Sequence, residues 1–377
     1  MRLRGGGVHA IAYAMTKALA ILLPLGLMLV GLPLVGVAIT GRPLAPYLRF
    51  PPTTVSVDHL PFSWWVFCLL AVLVMTVLLP FVYRAIRPAS KAREIVTATT
   101  PFPWWGWLGA TIVVVAWVLA WNRFSWFTAW QAFTFSPLWV GYILVINALN
   151  HARTGHCLLR DRPGYFLTLF PLSAGFWWFF EYLNRFVQNW HYVGISDFSP
   201  WQYLLYATLP FATVLPAVLS TCDWLASFPR LNRGLADAWP IRIIGARWFA
   251  WASLLIAGAG LTAIGVWPEF VFSFLWIAPL VIITALQVIC RRETIFAPVA
   301  TGDWRRLWQA ALAALACGFF WELWNYQSLA HWEYSIPFVH RFEIFHMPLL
   351  GYVGYLPFGW ECLAAASLLH TVWPQQE

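Results

Sequence analysis

Phe180-Glu181-Tyr182-Leu183-Asn184, followed by Trp190-His191-Tyr192, decides the fold, because the chain repeats it. The second occurrence is Trp321-Glu322-Leu323-Trp324-Asn325, followed by Trp332-Glu333-Tyr334. Each reads aromatic–Glu–x–x–Asn, then a short gap, then Trp–x–Tyr. Each closes a long apolar run. The two stretches are expected to be one structural piece present in two copies.

Further matches follow in the same order. Ser136-Pro137-Leu138-Trp139 matches Ser273-Phe274-Leu275-Trp276, and Ala148-Leu149-Asn150 matches Ala285-Leu286-Gln287. Leu209-Pro210-Phe211 matches Leu356-Pro357-Phe358. An order kept across four apolar segments points to internal duplication.

The 377 residues are 61% hydrophobic and 10% charged, with mean hydropathy +0.67. A soluble domain carries about 25% charged residues. The expected class is therefore an integral membrane protein, multi-pass and of the bacterial inner-membrane type. Most of the 27 tryptophans suit the membrane–water interface, where an indole keeps its body in lipid and its N–H wet. The charge of +8 reads as cytoplasmic Arg and Lys. No basic helix interleaved with aromatics is present, so no nucleic-acid partner is expected. Six cysteines without a CxxC pair read as small buried hydrophobes, not metal ligands.

A spanning helix needs about 20 mostly apolar residues. The expected fold is all-α, with about ten spans: Ile11–Val37, Phe62–Tyr83, Trp104–Trp121, Phe135–Leu149, Tyr165–Tyr182, Trp201–Leu225, Trp248–Trp267, Phe270–Ile289, Leu307–Trp324 and Pro348–His370. Residues 1–100 form a two-helix unit, 101–228 the first four-helix repeat and 243–372 the second. Alternating directions place Arg2, Arg4, Arg84, Arg87, Lys91, Arg93, Arg153, Arg160, Arg162, Arg230, Arg233, Arg242, Arg247, Arg291, Arg292, Arg305 and Arg306 on one side. Only Arg42, Arg49, Arg123, Arg185 and Arg341 fall on the other. Lys17, inside the first span, can snorkel to the basic side. By the positive-inside rule the richer side is cytoplasmic, with both termini. An even number of spans per repeat makes the copies parallel, related by a pseudo-two-fold axis along the membrane normal.

The candidate catalytic residues are Glu361, Glu322 and Glu181. Ionisable groups within a bilayer are costly and usually face a protein interior or wet cavity. Asn184 and Asn325, at i+3 from Glu181 and Glu322, share their helix faces. They are candidate binding residues, with Trp190, Tyr192, Trp332 and Tyr334. Two carboxyls and two amides brought together could share a proton, bind a cation or supply a general acid. In the structural alternative, each Glu caps its Trp–x–Tyr loop by accepting backbone N–H bonds. Glu361 is expected about 13 residues into the last span, roughly 20 Å from its start; in the alternative, Gly351-Tyr352-Val353-Gly354-Tyr355 is a loop or re-entrant turn and Glu361 is shallow and solvated. Its counterpart in the first copy is Val214. His340, Glu343 and His346 have a spacing compatible with one helical face, but match no metalloenzyme signature. An ion-paired loop is the expectation, and no metal is assigned.

Phe176-Trp177-Trp178-Phe179-Phe180 and Phe319-Phe320-Trp321 with Trp324 could line a pocket for an isoprenoid or lipid tail, or stabilise a carbocation. The chain has no P-loop, dinucleotide fingerprint, serine elbow or HExxH motif, and its sequence names no cofactor. The expected partner is a membrane lipid or other hydrophobic small molecule. An acid-catalysed membrane enzyme, a proton-coupled or lipid transporter, and a structural subunit with membrane-complex partners stay open.

Overall fold

Apolar runs in lipid must satisfy their backbone hydrogen bonds internally, and a helix does so within one segment. The chain is accordingly mostly helical. The computed structural model describes residues 5–52, 54–86 and 100–371, with side chains from 19 to 369. The expected basic residues Arg2, Arg4, Arg87, Lys91 and Arg93 lie outside the described residues, as do the side chains of Lys17 and His370.

Eleven helices of ten or more residues occur among the described residues. They are α1 (Gly5–Ile39), α2 (Trp64–Ile86), α3 (Trp104–Trp121), α4 (Phe135–Thr154), α5 (Pro163–Val187) and α6 (Pro200–Phe211). The others are α7 (Val214–Ala226), α8 (Ala246–Ile264), α9 (Phe274–Ile289), α10 (Arg305–Asn325) and α11 (Tyr355–Ser367). Local signals set their ends. Gly155, at φ 78°, ends α4 in the left-handed conformation that lacks a Cβ penalty. Ser199 and Gln202 form a reciprocal capping box at the start of α6.

Among the described residues, six helical segments are long and apolar enough to cross a membrane. A seventh is added if Ser125–Phe133 and α4, bent by 67°, form one span. That is fewer than the ten expected, for identifiable reasons. A turn at Leu349–Gly354 delays α11 to Tyr355, leaving it 13 residues. A break after the short helix Pro268–Val271 leaves α9 with 16 residues. At about 1.5 Å per residue neither reaches the roughly 30 Å of a hydrocarbon core. α5 has 25 residues, but Glu181, Asn184 and Arg185 make its end polar.

The loops tie to one another in two sets. Arg84 donates to Gly234 O, Arg153 to Ser227 O, and Arg306 pairs with Asp223 at 2.8 Å. In the other set, Arg185 donates to Tyr47 O and Arg49 O, Arg42 to Gly265 O, and Arg123 to Gln327 O. His59 and Glu269 join that second set at 2.6 Å.

Two short strands, β1 (Trp190–Val193) and β2 (His331–Tyr334), pair antiparallel. Trp190 faces Tyr334, His191 faces Glu333 and Tyr192 faces Trp332. The β1–β2 ribbon thus joins the two Trp–x–Tyr stretches. Beneath it the fully buried core includes Trp139, Trp324, Phe180 and Phe358. A second hairpin joins β3 (Glu343–Ile344) to β4 (Met347–Pro348). By contrast α2 buries none of its residues.

Candidate functional site

α5 and α10 each end in the same local device. Asn184 Oδ1 accepts from the Asn189 and Trp190 backbone N–H groups, while its Nδ2 donates to Trp190 O at 2.7 Å. Asn325 Oδ1 accepts from Trp332 N at 2.8 Å, and its Nδ2 donates to Trp332 O at 2.7 Å. A side-chain amide has both a donor and an acceptor, so one Asn can satisfy both backbone groups of a turning residue. The loop clamp expected of the glutamates is therefore made by the asparagines.

That frees the carboxyls for side chains. Glu181 is fully buried, and its Oε1 accepts from Trp177 Nε1 and Trp190 Nε1, each at 3.1 Å, and from Tyr192 OH at 2.6 Å. Glu322 is equally buried, and its Oε1 accepts from Tyr334 OH at 2.7 Å and Tyr355 OH at 2.6 Å. Trp332 Nε1 donates to Tyr334 OH at 2.8 Å. In both cages Oε2 is buried without a hydrogen-bond partner. Desolvation pushes the Tyr192 and Tyr334 hydroxyls well above the usual tyrosine range, and the neighbouring carboxyl adds to it. Both hydroxyls thus stay protonated donors.

A cavity of about 470 Å³ opens beside the β1–β2 ribbon. Trp190, Tyr192, Trp332 and Tyr334 line it, as do Trp177 and Trp321 of the aromatic runs. Leu70 and Val74 of α2 form one wall. Glu181, Glu322, Asn184 and Asn325 stand behind this lining and hold it. The remaining aromatics of the two runs are not in the cavity wall. Phe180 and Trp324 are core, and Trp178 bonds Thr208.

Glu361 differs from both caged glutamates and from its own expectation. Because α11 starts at Tyr355, it lies in the second turn, about 9 Å from the helix start, not 13 residues along. It is nevertheless fully buried, outside the cavity lining, with no side-chain hydrogen bond and only the Leu280 backbone as a polar neighbour. Burying a carboxyl without full hydrogen bonding costs free energy, so replacing it by an apolar side chain of similar size removes that cost. Glu361→Met is therefore expected to leave the thermal midpoint of the purified protein unchanged or raise it. A clear drop would mean the carboxyl holds the fold.

The His/Glu loop is rearranged relative to the expectation from spacing. His340 pairs with Glu343, at 3.3 Å, and not with His346. His346 lies instead against His331, with ring centroids 5.4 Å apart. Spacing in sequence missed this because β4 carries the chain back across β2. His331 had no signal of its own beyond its place before the Trp–x–Tyr stretch.

No protein-family model, curated protein or solved structure matches this chain. The site's own geometry therefore carries the functional reading.

Proposed function

We propose that this membrane protein binds a lipid or isoprenoid-type molecule in the cavity between two duplicated halves. The observation that carries the reading is the aromatic cavity walled on one side by α2, a helix with no buried residue. Such a wall lets an apolar tail enter sideways from the bilayer. Trp190, Tyr192, Trp332 and Tyr334 contact the ligand. Glu181 and Glu322, with Asn184 and Asn325, position those rings.

The parallel repeat is part of this proposal, and several pairings support it. Trp139 packs on Trp321 at 5.0 Å, and its counterpart Trp276 packs on Phe180 at 5.3 Å. Asn150 Nδ2 donates to Ser220 O, and Gln287 Nε2 to Ser367 Oγ. Trp190↔Tyr334 and Tyr192↔Trp332 are the two contacts that one two-fold axis generates from each other. The copies also compensate. Gly318 falls at the position of Trp177, and Tyr355 at that of Thr208. A Cβ on Gly318 would meet the Tyr355 ring. One carboxyl thus receives its donor from α5 and the other from α11. The two loop sets support ten alternating segments, arranged 2 + 4 + 4, with the basic set cytoplasmic.

Acid catalysis on the bound lipid is the second reading. It is favoured by the unpartnered Oε2 atoms of Glu181 and Glu322, with Glu361 as a third acid. A carrier would instead use the helix breaks after Phe211 and at Leu349–Gly354 beside the cavity.

The test is lipid analysis of the detergent-purified protein and of an Ala207→Trp variant, which fills the cavity from its wall. The wild type is expected to retain a hydrophobic compound in about one copy per chain, and the variant to lose it with unchanged melting. Equal retention in both would refute the site. If Glu322→Gln or Glu361→Gln changes the membrane lipid profile, the enzyme reading leads. Stoichiometric protein partners in mild detergent, with no bound lipid, would mark a structural subunit.

A further inference from the structure

We propose that His331, Glu333 and His346 form a binding site for a divalent first-row transition metal ion of the zinc class. Their donor atoms all lie within 4.8 Å of one another. Two imidazoles and a carboxylate are the ligand set that zinc and iron(II) accept. The residues come from two elements, β2 and the turn between β3 and β4. The site is separate from the lipid-binding reading and does not rest on it.

The hydrogen bonds favour a cation. His331 Nδ1 lies 3.2 Å from Leu329 O, so that nitrogen carries the proton and donates. A backbone carbonyl bonded to one imidazole nitrogen is the usual device that turns the other toward a metal. In the neutral ring His331 Nε2 is then a lone pair, yet it lies 3.3 Å from Glu333 Oε1. Two acceptors at that distance repel unless a second ring proton or a metal ion sits between them, and the second imidazole of His346 beside them suits the metal. The His340–Glu343 pair needs no such ion. His340 Nδ1 accepts from Ile336 N, which leaves Nε2–H to face Glu343 Oε1.

Two further observations point the same way. His346 Nε2 is buried and has no hydrogen-bond partner. The second Glu333 oxygen, Oε2, lies 3.7 Å from His191 Nε2 across the β1–β2 ribbon. His191 thus stands beside the carboxylate from the neighbouring strand. His331 also lines the cavity, so the ion stands at its edge.

The experiment uses the full chain in detergent, stripped with a chelator and titrated with Co²⁺. One Co²⁺ per chain with visible d–d bands is expected, and Zn²⁺ should abolish the bands. His331→Ala and His346→Ala should each weaken Co²⁺ binding by more than about tenfold. His340→Ala should bind as the wild type does. Glu333→Gln, which keeps the shape of the side chain, should show the same loss if either alanine variant fails to purify. Absence of stoichiometric binding would overturn the proposal. So would wild-type affinity in the His331, His346 and Glu333 variants, or an equal loss in His340→Ala.

Discussion

Glu322→Ala will lower the stability of the purified protein by about 2–6 kcal/mol, the cost of leaving two desolvated hydroxyls without an acceptor. The carboxyl is fully buried and receives Tyr334 OH at 2.7 Å and Tyr355 OH at 2.6 Å. Truncation deletes the acceptor but leaves both phenols in place. Each such orphan costs about 1–3 kcal/mol. Glu322→Gln keeps an oxygen at the same reach, so it should lose less than half as much. Thermal or denaturant unfolding in one detergent reads both variants. An alanine variant melting with the wild type would show that the cage contributes nothing. Glu361→Met is the internal comparison, because that carboxyl has equal burial and no side-chain hydrogen bonds. Burial alone predicts similar effects at the two sites, whereas bonding predicts opposite ones.

Gly359→Val will prevent α11 from seating on α10 and cost about 3 kcal/mol or more. A Cβ at Gly359 would overlap the carbonyl oxygen of Ala310. That obstacle is helix backbone, which cannot rotate away as a side-chain tip can. The facing surface of α10 is built from Ala310, Ala311, Ala313 and Ala314, all buried. Small residues let helices approach closely in a membrane, where packing replaces the hydrophobic drive. Forced apart, α11 would shift Tyr355 and Phe358 relative to the cavity they line. Size-exclusion profiles of the solubilised protein should lose the single sharp peak. Gly354→Ala is the control, since a Cβ there meets nothing within 4 Å. A sharp wild-type peak for Gly359→Val would contradict the close approach.

Much of the site was readable as residue types. Glu181, Asn184, Trp190 and Tyr192 announced themselves because their spacing recurs at Glu322, Asn325, Trp332 and Tyr334. Their roles were less legible. Both Glu and Asn can accept a backbone N–H, and spacing does not say which does. The short α9 and α11 were also hidden, because an apolar run reads the same whether helix or tight turn. Gly351 and Gly354 did offer a turn before α11 as an alternative; the structure has that turn, yet buries Glu361 instead of leaving it solvated.

By itself the sequence determined the helical class, the long apolar runs that suit a membrane protein, and the recurrence of the Glu–x–x–Asn and Trp–x–Tyr stretches. These follow from residue type and order, which set apolarity, charge placement and period. Only the tertiary structure decided which atoms meet: Tyr355 with Glu322, His331 with His346, and Glu361 with no side-chain partner. Such contacts depend on where each helix starts and how the return strand crosses. A one-residue change in a helix start turns a side chain by about 100°, and local sequence does not set that start to better than a few residues.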